Sequence, residues 1–273
     1  MQEFDRNELE KLYIPPSDSH KGQNGKLLLI SGSKLFHSSS LWALKIASRI
    51  VDMVFYSSVP ENNQLVIEAK KEFRDGIVVP RSKIENYIWE ADCILIGPGL
   101  PREDGIEKGD DNTKLLTESL LKKYSEKKWV IDGGSLQVIN PEIIPQNSII
   151  TPHSREFKQL FGLEVSEENV EKMSQKYGIV IVTKGPTDFV CSPQKSVSIQ
   201  GGNAGMTKGG TGDVLAGLIA ALYCKNDDPF LVASTGSYIN KKAGEGLFKK
   251  VGYYFNSSDL VEEIPRTMKK LFI

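Results

Sequence analysis

The chain has 273 residues, 40% hydrophobic and 25% charged, the ordinary make-up of a core-forming protein. Its 34 Lys and Arg nearly cancel its 35 Asp and Glu, so overall charge argues for neither nucleic acid nor a membrane surface as partner. Cys93, Cys191 and Cys224 are far apart and form no C-x-x-C pair, which disfavours a disulfide framework or a cysteine zinc site and fits a reducing, cytoplasmic setting.

The opening stretch MQEFDRNELEKLY is charged and lacks the apolar segment of a signal peptide, and no run of about eighteen apolar residues is present to span a bilayer. KLLLIS (26–31) reads as a buried strand. SLWALKIASRIV (40–51) has helical spacing, with Leu41, Leu44, Ala47 and Val51 on one face. MVFYSS (53–58) and GIVVP (76–80) read as strands, and DCILIGPGL (92–100) as a buried strand ending in a glycine turn. NTKLLTESLLKKYSE (112–126) is an amphipathic helix, WVIDGG (129–134) a strand, and SIITPH (148–153) a strand before the helix SREFKQLF. ENVEKMSQKY (168–177) is a helix leading into the strand GIVIVTKG (178–185). DFVCSP and SVSIQ suggest a short hairpin, and helices follow at 211–223, about 228–247 and about 258–271. Strands that alternate with helices and read as continuous apolar runs predict an α/β fold, a mainly parallel sheet covered on both faces. No low-complexity linker interrupts the pattern, so a single domain over 1–273 is expected.

In such a sheet, ligands gather beyond the carboxyl ends of the strands. The strand ends here collect small and polar residues: SGS, GPG, DGG, TPH and TKG. Glycine can simply turn the chain, but five such ends together point to a site.

The densest signal is GGNAGMTKGGTGDVLAG (201–217), with seven glycines in seventeen positions and Asp213 as its only carboxylate. Gly209, Gly210 and Gly212 allow successive amides to converge on an anion, and the following helix start reinforces them. Thr211 can cap the helix or offer a hydroxyl. Asp213 falls in the first helical turn. One role for it is to offset the helix dipole, worth about 0.3–1 kcal/mol. The other is a base beside a transferable phosphate, taking the proton of an attacking hydroxyl while amides and magnesium stabilise the moving group. The glycine setting and the buried helix favour the base. No Walker A motif occurs, GPGLPR fails the dinucleotide fingerprint at its last position, and the protein-kinase strings are missing.

With these residues on the page, GNAGMTKGGTGDVLAG resembles the signature of the ADP/ATP-dependent NAD(P)H-hydrate dehydratases, a branch of the ribokinase-like superfamily. HKGQNGKLLLISGS (20–33), ADCILIGPGL (91–100), WVIDGGSL (129–136), ITPHSREFKQLFG (150–162) and VIVTKGPTD (180–188) follow in the family's order. The resemblance runs from about residue 20 to about 250 and implies a three-layer ribokinase-like fold. It also implies repair of hydrated NADH or NADPH in the S form. ADP, or ATP in some members, phosphorylates the added hydroxyl, and phosphate then leaves by elimination. The resemblance makes Asp213 the base and Gly210, Thr211 and Gly212 the anion hole. It places Ser39, Gly99, His153, Asn203 and Gly205 at the substrate, and Lys184, Gly185, Pro186, Thr187, Asp188 and Gly212 at the nucleotide. Magnesium is implied without assigned ligands, and a homo-oligomer, often a tetramer in the family, is implied too. His153 has a second reading as the residue that caps the helix at 154, with Glu156 supporting that helix start.

The chain also departs from the family. Ser38 and Ser39 stand where Gly-Ala is usual, Gly134 replaces an acid of a D-A-D-A-L string, and Asp188 stands where threonine is common. The epimerase domain fused in many members is absent from these residues. Two alternatives share Asp213: a ribokinase-like kinase of a small alcohol or vitamin precursor, and a nucleotide-binding regulator that has lost catalysis. The charged stretch REDGIEKGDDN (102–112) reads as a solvated loop or a lid.

Overall fold

The computed structural model describes residues 1–272. Its ten strands are β1 (Gln2–Glu3), β2 (Lys26–Ile30), β3 (Met53–Ser57), β4 (Ile77–Val78), β5 (Cys93–Ile96), β6 (Lys128–Ile131), β7 (Ile149–Ile150), β8 (Val180–Thr183), β9 (Thr187–Cys191) and β10 (Ser196–Gln200). Its ten α-helices are α1 (His37–Ala47), α2 (Pro60–Ala69), α3 (Ile84–Glu90), α4 (Thr113–Lys123), α5 (Gly133–Leu136), α6 (Ser154–Phe161), α7 (Glu167–Tyr177), α8 (Thr211–Tyr223), α9 (Pro229–Val251) and α10 (Ser257–Phe272).

All ten strands join one sheet in the order β1-β10-β9-β8-β7-β6-β5-β2-β3-β4. Every pairing is parallel except those of β9, which runs against β8 and β10 in the expected hairpin. The strand period of two sorts the apolar side chains. Leu27 and Leu29 of β2 join Cys93, Leu95, Val130 and Val182 on the face covered by α1, α8, α9 and α10. Leu28 and Ile30 join Ile94, Ile96, Trp129 and Ile131 on the face covered by α3, α4, α6 and α7. Both faces are buried, which is why the strands read as unbroken apolar runs.

The helix expected at 40–51 begins earlier, at His37, so Ser38 and Ser39 lie in its first turn rather than ahead of it. The strand expected over 76–80 shortens to Ile77–Val78 at the sheet edge. Helices α2 and α3 are additions. The first starts on Pro60, a favoured residue in a first helical turn, but its outer face carries exposed Leu65 and Ile67, which blurs the periodicity. Among the described residues no helix is long and apolar enough to cross a membrane.

The stretch 102–112 is largely exposed, as expected of a solvated loop. It holds a short 3-10 turn at Glu103–Gly105, and its far end is tied to the body. The Lys34 amide donates to Asp110 Oδ1 at 2.9 Å, and Arg81 Nη2 pairs with Asp111 Oδ2 at 2.6 Å.

Candidate active site at the carboxyl edge of the sheet

Helix α8 is apolar along nearly its whole length and sinks into the core, so its first turn is carried to the carboxyl edge of the sheet. Gly210 precedes it with φ 94°, a left-handed conformation, and a Cβ there would lie 2.2 Å from the Trp42 ring. Thr211 does not cap the helix. Its hydroxyl donates to the Met206 carbonyl at 2.6 Å and the Lys208 carbonyl at 3.0 Å, closing the preceding turn. Among the described residues, the amides of Gly209, Gly210, Gly212 and Asp213 donate to no protein acceptor. The ladder begins with Val214 N–H to the Gly210 carbonyl at 3.0 Å. Four free donors at the positive end of a helix are the groups that suit an anion.

Asp213 is half-buried beside them. Burial, and then the neighbouring Asp132 carboxylate, push its carboxyl up to about 7. Lys184 and a hydrogen bond from the Ser39 hydroxyl pull the other way, while Glu156 adds to the rise. Asp132 follows β6 and is itself buried. Its Oδ1 accepts from Thr151 Oγ1 at 2.7 Å and from Lys184 Nζ at 2.7 Å. Lys184 Nζ also lies 3.8 Å from Glu156 Oε2. Burial opposes the charge on Lys184, but the Asp132 and Glu156 carboxylates outweigh it and hold the ammonium above the usual lysine value. One cation among three carboxylates leaves Asp213 partly protonated at neutral pH, the condition under which a carboxylate exchanges protons efficiently.

Lys184 also faces the other way. A Cβ on Gly212 would lie 3.2 Å from its Nζ, so the ammonium sits against the helix start. There it borders a cavity of about 500 Å³, whose lining includes Gly185, Pro186, Asp188, Asn203, Thr211 and Gly212. Of the residues expected at the nucleotide, Thr187 alone is not in the lining; it opens β9 behind it. Asp188 is buried and accepts from the Gly185 amide at 2.9 Å and from Ser237 Oγ at 2.7 Å. Burial raises its pKa, against the nearby Lys241 ammonium at 3.2 Å. It therefore braces the loop rather than presenting a free charge. Asn203 Oδ1 accepts from the Gly205 amide at 2.9 Å and its Nδ2 donates to the Gly244 carbonyl at 2.8 Å, pinning the glycine loop onto α9. Gly205 is buried against the Phe255 ring.

On the Asp213 side, Gly99 packs onto the start of α1. A Cβ there would lie 2.8 Å from the Phe36 carbonyl oxygen and 3.1 Å from Ser39 Cβ. Ser39 and Gly99 are thus brought together beside Asp213. His153 is the N-cap of α6. Its Nδ1 accepts from the amides of Arg155 at 3.1 Å and Glu156 at 3.2 Å, while Glu156 Oε2 accepts the His153 amide at 2.9 Å. The capping role is present in full, and Nε2 lies 3.4 Å from Glu156 Oε1 while the ring keeps an exposed edge.

Asp132 was passed over in the sequence because it lies inside the glycine turn of a strand end, although a lone acid there is the signal that marks it. Thr151 lies in the TPH strand end, where His153 drew the reading instead, and Lys241 carried no signal, since its partners are distant in sequence. Gly134 is explained by crowding: a Cβ there would lie 2.1 Å from the Leu100 carbonyl oxygen, so this backbone admits no side chain at that position.

A family model described as NAD(P)H-hydrate dehydratase matches residues 27–266. The chain is 37% identical over 273 residues to the bifunctional NAD(P)H-hydrate repair enzyme of Methanocaldococcus jannaschii, covering 96% of this chain and 52% of that protein. It therefore spans about half the length of that bifunctional relative. It is 32% identical over 270 residues to the ADP-dependent (S)-NAD(P)H-hydrate dehydratase of Cenarchaeum symbiosum, covering 92% and 91% of the two chains. The fold matches that of the Bacillus subtilis ADP/ATP-dependent NAD(P)H-hydrate dehydratase co-crystallized with ATP and Mg2+. That match has a TM-score of 0.82 at 21% identity over 99% of this chain and 98% of that one. The free helix start, its aspartate and the cavity beside it thus lie on a chain that belongs to the NAD(P)H-hydrate dehydratase family.

Proposed function

We propose that this chain dehydrates the S form of NADH or NADPH hydrate, with ADP or ATP as phosphate donor. One observation carries the reading: Asp213, whose carboxyl is pushed up to about 7, lies among four amides without protein partners among the described residues, one of them on Gly212 in the lining of a cavity of nucleotide size. The donor lies in the cavity with its terminal phosphate on the amides of Gly209 to Asp213. The hydrate lies on the opposite side, by Ser39 and Gly99 and against the exposed edge of His153. Asp213 takes the proton of the ring hydroxyl as its oxygen attacks the terminal phosphorus, and the phosphoanhydride bond breaks to release AMP from ADP or ADP from ATP. The carbon–oxygen bond then breaks with its electron pair leaving on phosphate, while the adjacent carbon loses a proton to water and its C–H pair forms the ring double bond, which restores the dihydropyridine. Lys184, on the nucleotide side of Asp213, offsets the charge that builds on the transferring group.

Among the described residues no three His, Cys, Asp or Glu side chains are grouped to hold a metal. This donor set suits a magnesium ion carried mainly by phosphate oxygens and water, and the ion would neutralise polyphosphate charge. A cytoplasmic location and assembly as a homo-oligomer belong to the same reading. Three buried, unpaired cysteines support the first, and the family likeness supports the second.

The test is incubation of the protein with prepared hydrate, magnesium and each donor. Return of the absorbance of reduced nicotinamide, with release of inorganic phosphate, is expected. Phosphorylation of a small alcohol without any such return would replace the reading with that of a kinase.

A further inference from the structure

Helices α1 and α8 lie against each other and run in the same direction from the carboxyl edge of the sheet. A Cβ on Gly210 would meet the Trp42 ring. A Cβ on Gly217 would lie 2.9 Å from Ala43 Cα and 2.7 Å from Ile46 Cγ2, so residue numbers rise together along the contact. No side chain fits at Gly217, and the two backbones approach closely there. Ser39 lies one helical turn before Ala43, and Asp213 one turn before Gly217. This register sets Ser39 opposite Asp213, and its hydroxyl donates a hydrogen bond to the carboxylate.

Other serine hydroxyls of α1 and its end are spent on the backbone. Ser40 Oγ donates to the His37 carbonyl at 2.7 Å, and Ser48 Oγ to the Lys45 carbonyl at 3.0 Å. Among the described residues Ser39 makes no such return bond. Its backbone is nevertheless held. Ser40 Oγ accepts from Asn62 Nδ2 at 3.2 Å and lies 2.8 Å from the Tyr56 hydroxyl, both partners fully buried, which ties the first turn of α1 to α2 and β3. On its other side Ser39 packs on Gly99. The charged groups facing Asp213 come from further elements. Burial and then Asp132 after β6 disfavour its ionised form, with Glu156 of α6 adding to this, while Lys184 after β8 favours it. A hydroxyl donor works on the side of Lys184, because a carboxylate accepts a hydrogen bond more strongly than a neutral carboxyl.

We infer that Ser39 is a positioning residue for the base: its hydroxyl donates to the Asp213 carboxylate and holds the ionised form in place before a substrate arrives. The use of that base rests on the dehydratase reading given above, whereas the contact itself is present without substrate. The departure from alanine at 39 thus adds one donor to the base. Ser38, one residue back, is exposed and lies about 100° away around the helix, so its hydroxyl has no part in the contact. The consequence is a base that is ready at a lower pH than burial and Asp132 would otherwise allow.

The test is an NMR titration of the aspartate carboxyl carbons in the full chain, with the Asp213 signal assigned by Asp213→Asn. In Ser39→Ala, which keeps a good helix former in α1, the Asp213 midpoint is expected to rise from about 7 by about one pH unit. In Ser38→Ala it should stay in place. Turnover of Ser39→Ala at saturating hydrate should follow, about tenfold lower at about pH 6 and equal to wild type well above the midpoint. An unmoved Asp213 midpoint in Ser39→Ala, or an equal shift in Ser38→Ala, overturns the inference. So does a turnover loss of the same size at every pH, the mark of a structural role alone. The titration needs no hydrate: a shifted midpoint in a protein that fails to restore reduced nicotinamide would sink the dehydratase reading and leave the Ser39 contact standing.

Discussion

Two helix starts lie on the same edge of the sheet and are treated in opposite ways. At α6 the first-turn amides are satisfied by His153 and Glu156 in a reciprocal box, and the helix ends regularly on Gly162 at φ 70°. At α8 a left-handed glycine leads in, the threonine hydroxyl turns back to the preceding loop, and four amides have no protein partner. The first arrangement stabilises a helix. The second forgoes that stabilisation, about 1 kcal/mol for a good cap, and keeps donors available for a ligand. A histidine in a motif and an aspartate in a motif carry equal weight in a sequence. Their surroundings separate a structural group from a chemical one.

The largest expected effect breaks the α8 side at its carboxylate. Asp213→Asn should retain ADP binding and lower hydrate turnover about 10²–10⁴-fold. Unchanged turnover would remove Asp213 from the chemistry. Next is Gly210→Ala, which puts a Cβ on the Trp42 ring and strains a left-handed residue. It should weaken ADP binding about tenfold or more through loss of the amide geometry. An equivalent change at Gly162, which ends α6 with open space around its Cβ position, should leave ADP binding alone.

The pH dependence sharpens the contrast. Asp213 must be ionised to act as a base, so turnover should rise about tenfold per pH unit and level off above about pH 7. Stability runs in the opposite sense. A carboxyl held above its ordinary value binds a proton more tightly in the folded state, so its contribution is full below about pH 4 and is lost as pH rises through about 7. Asp213→Asn should therefore be more stable than wild type at about pH 8, by about 1–2 kcal/mol, and near parity at about pH 5. Thermal unfolding of both proteins across that range checks the sign. No pH-dependent gain would mean that neither burial nor the Asp132 carboxylate raises the Asp213 carboxyl.

The smallest effect separates the two uses of His153. His153→Ala should cost about 0.5–2 kcal/mol through the lost cap, and His153→Asn should recover most of it because asparagine also caps well. If His153→Asn restores stability while the KM for hydrate stays high, the imidazole edge touches substrate. If both recover together, His153 only caps.

Most of the fold was legible. Helix α8 was placed at 211–223 and α6 at its observed bounds because each has a sharp start and a sustained apolar pattern. The strand ends also pointed to the carboxyl edge of the sheet, where Asp213, Asp132 and Lys184 meet. Helices α2 and α3 were missed because neither buries a clean stripe, with Leu65, Ile67 and Trp89 left on the outside. Glycine density and one acid identified Asp213, but its elevated pKa comes from burial and from Asp132 at the end of β6, with Glu156 of α6 adding to the rise and Lys184 after β8 opposing it.

The sequence alone determined what depends on neighbours along the chain: alternating elements, apolar faces, a glycine-rich turn running into a buried helix, and an acid in its first turn. Tertiary structure decided what depends on distant partners meeting. It spent His153 on a cap, closed Asp188 and Lys241 on each other, shut out a side chain at 134 and, among the described residues, left the amides at the start of α8 without protein partners. The physical reason is that hydrogen bonds and charges in a site are satisfied through space, and local sequence patterns do not record which groups will be left over.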